Sequence, residues 1–132
     1  MSEKKDPLAE LLSSDAQAED RAQLATLVKP FLIIDRASKE FTFLPAFFDI
    51  DGNAGKLEVL LAGTKARSLL LSEAEGLVPT EIIALSIMPT GSVKTSLKAL
   101  FDAHKIKKAK DGRYFIPGYR IPELVKQFAN KS

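Results

Sequence analysis

The sequence predicts a mainly helical α+β domain carrying two short β-hairpins. Three observations lead there. Apolar residues recur at helical spacing in five separate stretches, two clusters of aromatic and β-branched residues flank short polar turns, and no apolar run approaches the ~18 residues that span a bilayer. At 132 residues, the chain has room for one core with an appended arm.

The elements follow in order. Leu8, Leu11 and Leu12 stand at i, i+3, i+4 spacing and suit a short, loosely held helical turn. Ser14 and Gln17 fit a capping box, so a helix is expected over residues 15–29, with Pro30 discouraging its continuation. Residues 31–34 and 41–44 read as a hairpin whose Phe31, Phe41 and Phe43 must be buried against a helix or a second chain. Asp49, Asp51, Gly52 and Asn53 mark the connection after it as a turn. Residues 54–71 carry Leu57, Leu60, Leu61, Leu69 and Leu70 along one broad face and predict a long helix. Gly63 in its middle costs roughly 1 kcal/mol relative to Ala, which suggests a close helix crossing there. This divides the chain into a region 1–53, with a flexible N-terminus, helix and hairpin expected to support a homodimer, and a domain over 54–132.

Beyond Gly76 the order of elements becomes informative. Pro79 or Thr80 opens a short helix with Ile82, Ile83, Leu85 and Ile87, and the Met88-Pro89 step breaks it. Thr90 is placed to cap a second helix running to about His104, in which Val93, Leu97, Leu100 and Phe101 form one stripe. The opposite face keeps Ser92, Lys94, Thr95, Lys98 and Asp102. Hydroxyls and lysines suit phosphate oxygens and base edges, and the helix N-terminus adds backbone donors. Two short runs around Asp111-Gly112 signal another hairpin, with Lys107, Lys108, Lys110 and Arg113 near its tip. Ile121, Leu124, Val125 and Phe128 define a last helix with Pro122 in its first turn.

Short helix, turn, longer helix and basic hairpin are the parts in which residues 54–128 resemble the winged helix-turn-helix family of DNA-binding domains. The stretches that carry the resemblance are 76–86, 89–100 and 106–116. It implies groove-facing positions for Ser92, Lys94, Thr95 and Lys98, and wing positions near phosphate or minor groove for Lys108, Lys110 and Arg113. Together with Thr90 and Lys107, these form the expected nucleic-acid-binding set, and double-stranded DNA is the expected partner. Nothing before residue 54 matches that family.

Charge is divided in the same sense. Residues 1–75 hold 9 basic and 13 acidic side chains, a balance of −4, whereas residues 76–132 hold 10 basic and 4 acidic, a balance of +6. An acidic half joined to a basic half is expected when only one part faces a polyanion. The expected role is a transcriptional regulator. The exposed helix face carries no Arg, Asn or Gln, the usual bidentate base readers, which motivates the alternative of a protein-interaction adaptor.

Catalytic and metal chemistry are not expected. Cysteine is absent, and His104, the single histidine, is expected to close its helix rather than catalyse. The segment Asp49–Asn53 fails the calcium-loop pattern, with Ala54 where Gly and Leu60 where Glu would be needed. Residues 52–56 fail as a phosphate loop, with Ile50 and Leu57 at the decisive positions. No cofactor is expected, any effector is unknown, and a cytoplasmic location without membrane contact is the expectation.

Overall fold

The computed structural model describes residues 17–129. The expected turn at Leu8, Leu11 and Leu12 and the start of the Ser14 capping box lie outside the described residues. The chain runs α1 (Gln17–Val28), β1 (Leu32–Ile34), β2 (Phe41–Phe43), α2 (Pro45–Phe48), α3 (Asn53–Leu71), α4 (Pro79–Ala84), α5 (Thr90–Asp102), β3 (Lys107–Lys108), β4 (Tyr114–Phe115), a 3-10 turn (Gly118–Arg120) and α6 (Ile121–Ala129). The fold is mainly helical with two small antiparallel hairpins. No described helix is long and apolar enough to cross a membrane.

The core is continuous from end to end. Leu24, Leu27, Phe31 and Leu32 belong to the same buried cluster as Leu57, Leu60, Ile82, Val93, Leu97, Ile116 and Phe128. α1 packs on both α3 and α6, and Phe31 meets Phe128 edge to face with ring centroids 5.6 Å apart. The first hairpin therefore packs its aromatics within its own chain, Phe31 buried and Phe41 and Phe43 half-buried, which is how so short a hairpin is held. Leu32 pairs with Phe43 and Ile34 with Phe41, while the intervening Ile33 and Thr42 face outward.

Two expectations about this half are corrected. Gly63 receives the hairpin rather than a crossing helix. A Cβ there would stand 3.2 Å from both methyl carbons of Leu32 and 3.5 Å from the Phe41 ring. The connection after the hairpin also contains a helix. Pro45 presets the first turn of α2, and Phe47 is fully buried beneath Phe43, with centroids 4.7 Å apart.

α3 is the axis of the molecule. Its residues Leu57 to Thr64 are buried all round, because α1, α5 and β4 pack on it from different sides. One of those buried residues is Glu58, whose carboxylate accepts from Arg120 Nε at 2.8 Å and Nη2 at 3.3 Å, and Glu123 accepts a third bond from the same guanidinium. Burial pushes the Arg120 guanidinium down, but its bonds to Glu58 and Glu123 outweigh that and hold it above its ordinary value. A pair at positions 58 and 120 ties the central helix to the 3-10 turn that leads into α6.

Candidate nucleic-acid interface

The helix expected to face a ligand begins one residue earlier than its hydroxyl suggests. Pro89 is the N-cap of α5, with Thr90 inside the first turn and no side-chain cap bond. Thr90 is thus exposed rather than engaged, while the Ser92 and Val93 amides of the opening turn donate to the Pro89 carbonyl at 3.0 and 3.2 Å. The preceding α4 is capped from within: Pro79 is in its first turn and the Glu81 carboxylate accepts from the Val78 amide at 3.1 Å. That is half of a capping box, with the acidic residue reaching back.

α5 ends in a Schellman motif. Lys105 N–H donates to Leu100 C=O at 2.9 Å and His104 N–H to Phe101 C=O at 3.0 Å, with His104 at φ 63°. His104 therefore stands just beyond the helix as its left-handed terminator, not inside the last turn as expected. Its carbonyl accepts from the Tyr119 hydroxyl at 3.0 Å, which ties the end of α5 to the 3-10 turn before α6.

Between these ends the helix has two faces. Val93, Leu97 and Leu100 are buried against the core, while Lys94, Thr95 and Lys98 are exposed within one turn of one another. Ser92 is half-buried at the side. Lys98 forms an i, i+4 ion pair with Asp102 at 3.1 Å, and with both groups well exposed the pair is weak and readily exchanged.

The second hairpin follows directly. Gly112 N–H donates to Ala109 C=O at 3.0 Å, Ala109 N–H to Arg113 C=O at 2.8 Å, and Gly112 takes φ 90°. This is a three-residue loop with glycine in the left-handed position. It places Lys110 at the exposed tip. Lys107 lies over the Tyr119 ring at 5.6 Å and Lys108 over the Tyr114 ring at 5.4 Å, and Tyr114 in turn meets Phe101 of α5 edge to face. Both lysines line an open cleft with Phe101, Asp102, His104 and Tyr119, so these two charges stand at the C-terminal end of α5 beside the acidic Asp102.

Arg113 does not join them. Its Nη1 donates to Glu81 at 2.8 Å and to the Gly76 carbonyl at 3.3 Å, and its Nε lies 3.5 Å from Asp111. The side chain is drawn inward, where it fastens the hairpin to the start of α4. Sequence reasoning also missed a bridge at this place. Leu77 and Tyr114 exchange two backbone bonds, of 3.0 and 2.8 Å, which adds a third extended segment beside β4. Gly76, at φ 92°, permits it: a Cβ there would stand 2.2 Å from the Tyr114 carbonyl oxygen.

The surface that results offers hydroxyls and lysine ammonium groups, which is chemistry for anionic oxygens. Among the described residues no three of His, Cys, Asp and Glu stand close enough to hold a metal ion. Comparison with family models, with curated proteins and with solved structures gives no match for this chain.

Proposed function

We propose that this chain is a non-enzymatic DNA-binding protein, a transcriptional regulator of winged helix-turn-helix type, which lays α5 in a major groove and the second hairpin on the flanking backbone. The observation that carries the reading is the outer face of α5, where Lys94, Thr95 and Lys98 are exposed on a helix whose other side is anchored by Val93, Leu97 and Leu100. The order of elements supports it. Helix α3, the extended Leu77, helices α4 and α5, then strands β3 and β4 follow one another, and Leu77 pairs beside β4.

Thr90, Lys94, Thr95 and Lys98 are the side chains for the groove, with Ser92 at its edge, and Lys107, Lys108 and Lys110 are those for phosphates. Arg113 keeps the hairpin in place. The proposed homodimer would draw on Ile33 and Phe48, both more than half exposed on and beside the first hairpin.

A protein-interaction adaptor is the second reading. It is favoured by Phe101, which the spacing places in the buried stripe but which is 43% exposed at the C-terminal end of α5. One experiment separates the two. Random-sequence duplex immobilised at about physiological salt retains a DNA-binding protein, and the Lys107→Ala/Lys108→Ala/Lys110→Ala variant is retained less. An adaptor passes through whether or not those lysines are present. Selection of bound fragments from a random duplex pool then reads out sequence preference.

A further inference from the structure

An apolar groove of about 270 Å³ runs between α1, β1 and the end of α3, away from α5. Leu24 and Val28 form its buried floor, and Ile34, Leu69 and Leu70 form its wall. Leu69 is 43% and Leu70 63% exposed, so adjacent leucines at the end of the central helix face solvent among the described residues. The volume lies below the ~300–1,000 Å³ usual for small-molecule pockets, and it suits a few inserted side chains. Arg21 and Lys29 stand on the groove, and neither has an ion-pair partner among the described residues.

We propose that the occupant of this groove is the chain's own N-terminal segment, seated through Leu8, Leu11 and Leu12. The connection is direct, because the segment leads into Gln17, the first residue of the helix that lines the groove. Between Leu12 and Gln17 lie four residues, enough at ~3.3 Å each to turn back along α1 to Arg21, which is about 6 Å from Gln17 at ~1.5 Å per helical residue. Links of two to five residues commonly join antiparallel helices. The i, i+3, i+4 spacing of the three leucines is the spacing that a helical turn would bring onto one side.

Charge agrees with this occupant. Residues 6–16 contain Asp6, Glu10 and Asp15 and no basic side chain, facing a groove that carries Arg21 and Lys29. The placement is independent of nucleic-acid binding.

The absence of cysteine makes a clean test available. Leu8→Cys, Leu11→Cys and Leu12→Cys are each combined with Leu70→Cys in the full chain and oxidised mildly at low protein concentration. At least one pair is expected to close within the monomer, since a disulfide needs Cα atoms within ~7 Å. The control pair Leu11→Cys/Lys98→Cys should stay reduced. Adding Arg21→Glu and Lys29→Glu should slow closure severalfold while circular dichroism stays unchanged. Thiols that remain free in all three pairs, bonds that join two chains instead, or a control that closes equally fast would each overturn the proposal.

Discussion

Single side chains decide how firmly the two ends of the chain are held. Removing one partner of a buried ion pair leaves the other charge without compensation, at a cost of about 3–5 kcal/mol. Glu58→Leu should therefore lower unfolding stability by that order in denaturant titration, while Glu58→Leu/Arg120→Met should recover most of it. Gly76→Ala is expected to be comparably harmful for a different reason, because its methyl group would meet the Tyr114 carbonyl and its φ lies where L side chains are strained. That loss should appear first as faster hydrogen exchange at the Leu77 and Tyr114 amides.

Asp35 supplies a milder, pH-dependent contribution in the first turn. The Ser38 amide donates to its carboxylate at 2.6 Å, and this bond, followed by the Ser38 hydroxyl, holds the exposed carboxyl below its ordinary 3.8. A depressed folded value means stabilisation that is complete above the unfolded value and lost as pH falls through the folded one. The Ser38 amide shift in an NMR titration should accordingly have its midpoint below 3.8.

At the scale of elements, periodicity was enough to locate the longer helices. α1, α5 and α6 bury the leucines of their apolar stripes. By contrast, α3 is buried all round over residues 57–64 and exposes Leu69 and Leu70, which corrects its expected single apolar face. Asp111-Gly112 marked the second hairpin because its turn needs a residue of positive φ. What escaped were features that depend on distant partners. α2 owes its existence to Phe47 fitting under Phe43, the bridge of Leu77 to Tyr114 joins segments separated by two helices, and Glu58 meets Arg120 across 62 positions. Nothing local in the sequence distinguishes these residues from ordinary surface or turn positions.

The candidate interface shows the same division. The exposure of Lys94, Thr95 and Lys98 was readable from the spacing of Val93, Leu97 and Leu100. The withdrawal of Arg113 was not, because Glu81 and Gly76 approach it from another element. Arg113→Ala should therefore act on the hairpin's anchorage more than on phosphate contacts. It is expected to cost stability, of order 1 kcal/mol for a partly buried charged bond network, and to leave the salt dependence of DNA binding nearly unchanged.

At the scale of the whole molecule, one continuous core holds α5 by its inner face and leaves its outer face open, with a lysine-bearing hairpin at its C-terminal end. On the proposed reading the basic half of the sequence is the side offered to a polyanion, while the acidic half supplies α1, the first hairpin, α2 and all of α3. The measurement that bears most directly on this account is the affinity for duplex DNA as a function of salt. With about four to six phosphates neutralised, log affinity should fall against log salt with a slope of about −4 to −5 per protomer, and Lys107→Ala/Lys108→Ala/Lys110→Ala should flatten it by about two to three. A slope near zero, or one unmoved by replacing those lysines together with Lys94 and Lys98, would contradict it.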